Sequence, residues 1–348
     1  MSNLQEKCRG SLVGGAIGDA LGYAVEFSSL NAIHKKYGED GLVDYALNPG
    51  GIAEFSDDTQ MSLFTAEGLL NAKAEGKTFE KEIVPYISKA YEHWYYTQER
   101  TPLKMRESWL THVRAMWSKR APGNTCMSAL QTVSLHKGAP VINNSKGCGG
   151  IMRVAPIGIY SAAHPKLLDL EHAGYLAGHA ADITHKHPLS TYSSMALAMV
   201  VADCIAHDNV NQEKFRFIVI NRVFKLLGLY FKEEKQLSEL QELIQKSLDL
   251  AISNKSDTDA VRELGEGWVA EETLAIAVFS VMRYIDDFEK CIRCAVNHDG
   301  DSDSTGAVAG NIIGAILGYH AIPEKYLTNR LIRKCPWRLS RKSCLPGT

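Results

Sequence analysis

Glycine recurs at every fourth position in two helix-like stretches, one near each end of the sequence. The two sets are Gly10, Gly14, Gly18, Gly22 and Gly306, Gly310, Gly314, Gly318. An α-helix turns once in about 3.6 residues, so this spacing places each set on one helix face. Glycine costs a helix about 1 kcal/mol per position relative to alanine, and close backbone approach is the simplest compensation. We therefore expect the two terminal helices to be central and to pack together.

The rest of the 348-residue chain is also dominated by a helical pattern. Apolar residues recur at spacings of three and four, whereas alternating runs of Val, Ile and Thr, which are typical of strands, are almost absent. The clearest helices are predicted at residues 59–74, 237–252, 271–284 and 304–319. The sequence therefore predicts an all-α fold.

The length and the 45% hydrophobic content are sufficient for one large domain with a sizeable core. We predict a single domain over residues 1–320, in which residues 205–265 form a charged, amphipathic and peripheral helical segment. Residues 321–348 are rich in Lys and Arg, and are predicted to be a basic tail that is either a solvated end or a docking surface.

Charge and cysteine content exclude several classes of protein. A formal net charge of −2 gives no general attraction to nucleic acid or to an anionic membrane. No signal segment is recognised at the N-terminus, and the apolar stretch 306–318 is shorter than the roughly 20 residues of a membrane span. The eight cysteines are scattered, which is typical of reduced thiols. We expect a cytoplasmic protein with neither nucleic acid nor membrane as partner.

The pair Cys291 and Cys294 forms a lone CxxC motif in a helical pattern. A structural zinc site requires further ligands, and no second pair stands at zinc-ribbon spacing. We predict two thiols that face the core.

Two acidic clusters, residues 56–59 and residues 299–304, place carboxylates beside hydroxyls. Hard divalent cations such as Mg²⁺ and Mn²⁺ prefer oxygen ligands of these kinds. Capping of a helix would explain one residue of the first cluster, but it does not explain a second cluster of the same character. An EF-hand loop is disfavoured for residues 299–304, because its register and its glutamate are missing. The clusters predict a metal enzyme, and the second glycine helix could carry one cluster to the other.

Asp19 and Glu26 lie on or just past the first glycine helix. Carboxylates in a tightly packed place either pair structurally or have shifted pKa values for acid–base chemistry, and both roles remain open here.

The glycine-rich stretch 146–153 could offer free N–H groups to a phosphate, although it lacks the lysine–serine ending of a P-loop.

Two further motifs contain residues suited to contact a nucleotide. Residues 184–188 contain His185 and His187, which either hydrogen-bond a sugar hydroxyl or are satisfied within the fold, because zinc would need further ligands nearby. Trp268 lies on a glycine turn, where its ring either covers a nucleobase or packs.

In combination, these motifs resemble the ADP-ribosylglycohydrolase family, whose members are all-helical enzymes that remove ADP-ribose from modified proteins. The segments that carry the resemblance are GDALGYAVE (18–26), SDDT (56–59), GCGGIMR (147–153), THKHP (184–188), GWVAEE (267–272) and DSDS (301–304). The resemblance spans about residues 10–318. It implies a compact orthogonal multi-helix bundle of the type found in that family.

The resemblance also implies a binuclear Mg²⁺ or Mn²⁺ centre and a site for ADP-ribose. The implied metal ligands are Ser56, Asp57, Asp58, Asp301, Asp303 and Ser304. The implied substrate contacts are Gly147, Gly149, Gly150, His185 and, as an adenosine wall, Trp268. The carboxylate that acts as catalytic acid or base is one of Asp57, Asp58 and Glu26, and the choice among them stays open.

The implied reaction is hydrolysis of the bond between ribose C1″ and a modified side chain, with an ADP-ribosylated protein as substrate. Similarity to arginine-directed members favours ADP-ribosyl-arginine, while ADP-ribosyl-serine and O-acetyl-ADP-ribose are alternatives. Other possibilities are a non-catalytic ADP-ribose-binding protein, such as an immunity protein that blocks a toxin partner, and a metal-dependent phosphohydrolase. The loop departs from many relatives in having Cys148 in place of Asn, and Lys146 where some have an aromatic residue.

Overall fold

The structure is a computed structural model that describes residues 2–101, 108–136, 138–231 and 234–328. Within these ranges the α-helices are α1 Asn3–Gly22, α2 Leu30–Tyr37, α3 Asp57–Ala74, α4 Glu80–Gln98, α5 Asn124–Leu135, α6 Ala155–Ala163, α7 Leu170–Asp182, α8 Pro188–Ala206, α9 Gln212–Phe217, α10 Lys225–Tyr230, α11 Lys235–Ala251, α12 Asp257–Leu264, α13 Ala270–Arg283, α14 Phe288–Val296, α15 Ser302–Leu317 and α16 Glu324–Thr328. A π-helical turn, Ile218–Phe224, joins α9 to α10.

The prediction of an all-α fold is confirmed. The chain is 69% helical, and the described residues contain no strand. The four helices that the sequence marked most clearly are α3, α11, α13 and α15, and each observed end lies within two residues of the predicted one.

The two glycine helices, α1 and α15, pack against each other in antiparallel orientation. The facing pairs are Gly10 with Gly314, Gly14 with Gly310, Gly18 with Gly306 and Gly22 with Ser302. A Cβ atom at any of the four α1 positions would lie less than 3.0 Å from backbone of α15 or the residue that ends it, so the contact accepts only glycine there. This contact, which we call the glycine seam, confirms the expectation of central, mutually packed terminal helices.

Two side chains reinforce the glycine seam. The Ser11 hydroxyl donates to the Asn311 carbonyl at 2.8 Å, and the Asn311 amide Nδ2 donates to the Ser11 carbonyl at 2.9 Å. Both residues are buried, so these reciprocal bonds fix the register of the helices. As a result, the C-terminal end of α1 lies beside the N-terminal end of α15.

Helix α8 is long and apolar enough to cross a membrane by length and composition, and 89% of it is buried inside the fold. It contacts α6, α7 and α15 among others. Burial of this kind is typical of a central core helix. The sequence drew attention only to the apolar stretch 306–318, and the apolar character of α8 reflects its central position in the fold.

Within residues 205–265, α11 packs its apolar face against α8 and α13. Its buried residues include Leu237, Leu240, Ile244 and Leu248. At the C-terminal end, Ile322 and Tyr326 are buried, and the Tyr326 ring meets Tyr45 edge-on at a centroid distance of 5.3 Å. The remaining part of the predicted basic tail, 329–348, lies outside the described residues.

Cys291 and Cys294 are buried and not disulfide-bonded, which confirms the prediction of core-facing thiols. The Ser280 hydroxyl lies 3.4 Å from the Cys294 sulfur.

Candidate active site

The two acidic clusters lie at the N-terminal ends of α3 and α15. Ser56 caps α3, and Asp301 caps α15 by accepting a hydrogen bond from the Ser304 N–H at 3.3 Å. Carboxylates are stabilised at helix N-termini by the free N–H groups and the helix dipole. The capping role proposed for Ser56 is therefore present, and it coexists with the cluster of acids.

Glu26, Asp301 and Asp303 are brought together by the glycine seam. Each offers a carboxylate oxygen, and these three oxygens lie within 4.8 Å of one another. Glu26 follows the C-terminal end of α1, so its position depends on the packing of α1 against α15. The structure thus joins the motif 18–26 to the C-terminal acidic cluster.

The first cluster is coupled electrostatically to the second. Burial, followed by the charge of Asp303, raises the pKa of both Asp57 and Asp58 well above the ordinary range. The same two causes raise the pKa of Asp301 in the same direction. Burial and Asp303 also raise the pKa of Glu26 to about 10. Like-charged groups removed from water in this way favour protonation unless a cation compensates them.

Two carboxylate oxygens in the cluster are buried without a hydrogen-bond partner in the described structure, Oδ1 of Asp58 and Oε2 of Glu26. The other oxygen of Asp58, Oδ2, accepts from the Ser56 hydroxyl at 3.2 Å. Buried acceptors without donors are costly and rare in folded proteins. Carboxylate and hydroxyl oxygens gathered with unused lone pairs are a donor set that fits a hard divalent cation.

Asp19 has a structural role that the sequence left open. Its Oδ1 accepts from the Ser56 N–H at 2.8 Å, and its Oδ2 accepts from the Thr59 N–H at 2.9 Å and from the Thr59 hydroxyl. Asp19 therefore ties the first turn of α3 to α1. Burial and Asp303 raise its pKa to about 7.

The glycine-rich loop and the segment that carries Trp268 lie side by side. The Cys148 N–H donates to the Trp268 carbonyl at 3.1 Å, and the Ala270 N–H donates to the Lys146 carbonyl at 2.8 Å. The Gly150 N–H faces the Gly147 carbonyl at 3.5 Å. The expectation that the N–H groups of this loop are free for a phosphate is therefore wrong for residue 148, whose N–H is paired with the Trp268 carbonyl.

His185 is packed against this loop. A Cβ atom on Gly147 or on Gly149 would lie 3.3 Å from His185 Nε2, so glycine at these positions lets the loop pack closely on the imidazole without placing a side chain over Nε2. Burial, followed by the charge of Arg153, lowers the pKa of His185 to about 3, so the ring is neutral. Gly150 plays a different part, because a Cβ there would collide with the Ser190 hydroxyl.

His187 is satisfied within the fold. Its Nδ1 accepts from the Leu189 N–H at 3.1 Å at the start of α8. Of the two histidines singled out in the sequence, only His185 thus lies against the glycine loop.

Trp268 lies beside the second acidic cluster and is 40% exposed. Glu272 holds its turn by accepting from the Gly267 N–H at 3.1 Å, and a Cβ on Gly267 would lie 3.2 Å from the Asp301 carbonyl oxygen. The Trp268 ring stacks on Phe27 with a centroid distance of 6.1 Å and an interplanar angle of 25°. Phe27 is 75% exposed and was missed in the sequence, where a lone aromatic after Glu26 gives no signal.

Lys146 and Cys148, the two loop residues that differ from those of many relatives, both contact acidic side chains. Lys146 pairs with Glu271. Burial, followed by the charge of Asp301, raises the pKa of the Cys148 thiol well above its usual value. The thiol therefore stays protonated next to the acids.

Comparison with known proteins identifies the family of the chain. The model of the ADP-ribosylglycohydrolase family matches residues 1–341, so the chain belongs to the ADP-ribosylglycohydrolase family. Its relatives include ADP-ribosyl-[dinitrogen reductase] glycohydrolase of Rhodospirillum rubrum, 26% identical over 94% of this chain and 90% of the relative. Another is ADP-ribosylarginine hydrolase Tri1 of Serratia proteamaculans, 27% identical over 92% of this chain and 74% of the relative.

A solved structure, an ADP-ribosylglycohydrolase-related protein complex, shares the fold with a TM-score of 0.62. It is 23% identical in sequence, and the match covers 96% of this chain and 95% of that chain. Family membership supports, at a coarse level, hydrolysis of glycosidic bonds and removal of ADP-ribose.

Proposed function

We propose that the protein is a divalent-metal-dependent hydrolase that releases ADP-ribose from modified arginine side chains. The observation that carries this proposal is the buried cluster of carboxylates from both ends of the chain, with unpartnered oxygens on Asp58 and Glu26. The residues that would hold two Mg²⁺ or Mn²⁺ ions are Ser56, Asp57, Asp58, Asp301, Asp303 and Ser304. When bound, such ions act as Lewis acids and orient sugar hydroxyls or water.

Glu26 is the carboxyl best placed to move a proton. Its Oε2 has no hydrogen-bond partner in the described structure, whereas Oδ2 of Asp58 is engaged by Ser56. The next residue, Phe27, is 75% exposed, so the segment that carries Glu26 forms the outer side of the cluster. Proton transfer by a positioned carboxyl accounts for roughly 10²- to 10⁴-fold of a typical rate enhancement. Asp57 and Asp58 remain the alternatives.

The remainder of ADP-ribose would lie along the glycine loop. Gly147 and Gly149 place no side chain over His185 Nε2, which would make a polar contact to the ligand. Trp268 and Phe27 offer exposed ring surface on which an adenine could stack. The loop and the acids are adjacent, because the Cys148 thiol lies against Asp301 and Ser304.

Arginine is the preferred leaving group because the Serratia relative carries the name ADP-ribosylarginine hydrolase. A relative from Danio rerio, 23% identical, is named ADP-ribosylhydrolase ARH3. ADP-ribosyl-serine and O-acetyl-ADP-ribose therefore remain alternative substrates, and non-catalytic binding of ADP-ribose, including blocking of a toxin, is a further alternative. A cytoplasmic location stays a prediction.

The test is the release of ADP-ribose from proteins modified on arginine and, separately, on serine, first with Mg²⁺ and then with EDTA. We expect release from the arginine-linked substrate that EDTA abolishes. Asp57→Ala and Asp303→Ala should each abolish turnover, and retained activity in both would rule out the binuclear site. Release from the serine-linked substrate alone would overturn the choice of arginine, and binding of ADP-ribose with no release from either would favour the non-catalytic alternative.

A further inference from the structure

A chain of three buried polar side chains, Arg153, Thr184 and His185, reaches the glycine loop from the core. The Arg153 guanidinium donates through Nη2 to the Thr184 hydroxyl at 2.6 Å and to the Ala180 carbonyl at 3.1 Å. The Thr184 hydroxyl lies 2.8 Å from His185 Nδ1. Arg153 and Thr184 are fully buried, so their hydrogen bonds are made within the core, whereas His185, at the end of the chain of side chains, is 2% exposed.

The direction of each bond follows from which groups carry protons. A guanidinium is always protonated and has no acceptor, so the Thr184 oxygen must accept from Arg153. The hydroxyl retains one proton to donate, and the acceptors near it are His185 Nδ1 at 2.8 Å, the Ala181 carbonyl at 3.5 Å and the Cys126 sulfur, which is a weak acceptor. A contact of 2.8 Å is a good hydrogen bond, whereas 3.5 Å is at the outer limit. The Thr184 proton therefore points at Nδ1.

Because Nδ1 accepts a proton, the single proton of a neutral imidazole must be on Nε2. The ring is neutral, since burial and the nearby Arg153 charge lower the pKa of His185 to about 3. Nε2 has no hydrogen-bond partner in the described structure, and it faces Gly147 and Gly149 at the positions where side chains are missing.

We propose that Arg153 and Thr184 are positioning residues that fix His185 as a neutral Nε2–H donor aimed across the glycine loop at an oxygen atom of the ligand. The identity of the ligand as ADP-ribose rests on the proposed function. The tautomer itself is a property of the protein alone, so it can be measured without substrate.

The first test is the tautomer of His185 in the ligand-free protein, determined by ¹⁵N NMR and assigned by comparison with His185→Gln. We expect a protonated Nε2 and an unprotonated Nδ1 in the wild type and in Thr184→Ser, and loss of this preference in Thr184→Val. Thr97→Val is the matched control, because Thr97 is also buried, donates to the Trp94 carbonyl and accepts from the Gln98 amide. A wild-type ring protonated on Nδ1, or a tautomer unchanged by Thr184→Val, would overturn the inference.

The second test is a double-mutant cycle on ADP-ribose affinity measured by calorimetry. Thr184→Val should weaken binding by about tenfold, the range expected for one lost hydrogen bond. In a His185→Ala background the same substitution should cost nothing further, because its effect is transmitted through the histidine. An equal loss in both backgrounds would show a merely structural role and overturn the positioning role. If no form of the protein binds ADP-ribose, the proposed function fails, and the tautomer measurement still decides the inference.

Discussion

The middle and the end of the α1–α15 pair differ in what the two helices bring together. In the middle, Gly14 and Gly310 remove every side-chain atom, and two backbones meet with reciprocal bonds from Ser11 and Asn311. At the end, the same two helices bring together carboxylates that repel one another, among them Glu26, whose Oε2 has no hydrogen-bond donor in the described structure. The first region stabilises the fold, whereas the second lowers its stability, a cost that the proposed cations would offset.

The difference teaches how the site is constructed. A cluster of like charges is unfavourable in isolation, so it needs a rigid frame that holds it together. The glycine seam supplies that frame, because a shift of one helix along the other would separate Glu26 from Asp301. Substitutions in the glycine seam and in the acidic cluster should therefore have different effects on stability and activity.

The largest effect is expected from a side chain placed in the seam. Gly310→Val would put atoms less than 3.0 Å from the backbone of Gly14 and Gly15, so the helices must separate. Overpacking of a core costs about 1–3 kcal/mol and sometimes more, and here two backbones must move. We expect little folded protein, measured by yield and by urea unfolding. The control is Gly228→Ala, where the nearest atom lies 4.0 Å away, and a normal Gly310→Val protein would contradict the role of the seam.

The second prediction is that Asp58→Asn lowers activity while it raises the stability of the metal-free protein. Asp58→Asn keeps the shape of the side chain and removes one charge from the cluster, so release of ADP-ribose should fall by roughly 100-fold or more. In EDTA at alkaline pH, the same variant should be more stable than the wild type by on the order of 1 kcal/mol, because a buried repulsion is removed. Urea unfolding checks the second statement. A variant that is both inactive and less stable would indicate that Asp58 is only structural.

The third prediction concerns pH. The pKa of Glu26 is raised from 4.5 to about 10, and that of Asp19 from 3.8 to about 7, in each case chiefly by burial. In the unfolded chain these groups lose their protons near the lower values, while the folded protein keeps them. The stability that Glu26 and Asp19 contribute is therefore fully present at a pH below their pKa values in the unfolded chain. It is lost as the pH rises through their pKa values in the folded protein.

Metal-free protein should accordingly have a melting temperature that falls as pH rises between about 4 and about 10. Mg²⁺ should raise the melting temperature most at the alkaline end, because it replaces the missing protons. Thermal unfolding in EDTA and in Mg²⁺ across this range is the measurement. Metal-free stability that increases with pH over the same window would contradict the coupling among the acids.

The smallest effect is expected from the stacked rings of Trp268 and Phe27. Trp268→Ala removes one face of the stack with Phe27, and should raise KM for the ADP-ribosylated substrate by about three- to tenfold with little change in kcat. Phe217→Ala is the control, because Phe217 is 53% exposed and belongs to α9. Unchanged steady-state kinetics in Trp268→Ala would remove Trp268 from the list of substrate contacts.

Much of this arrangement could be predicted from the sequence. The four-residue glycine spacing directly predicts a helix face without side chains, and the acidic clusters flank the helices that the glycines join. In both cases the spacing of residues along the chain directly determines the structural feature. The sequence alone therefore indicates both the glycine seam and the acidic clusters.

Other features depend on contacts between distant segments and gave no local signal. The hydrogen bonds from Arg153 to Thr184, and the stacking of Phe27 on Trp268, join residues far apart in sequence. The same reason explains the incorrect expectation for the glycine loop, where the N–H of Cys148 is used by a partner more than a hundred positions away. Apolar α8 was overlooked because periodicity alone does not distinguish a central core helix from other apolar segments.

The most direct test of the central claim is calorimetric titration of Mn²⁺ into EDTA-treated, desalted protein, with one variant from each end of the chain. We expect the wild type to bind two ions, and both Asp58→Asn and Asp303→Asn to weaken this binding, because the two clusters form one site. Folded wild-type protein that binds no divalent ion, or a variant from one end that binds like the wild type, would contradict it.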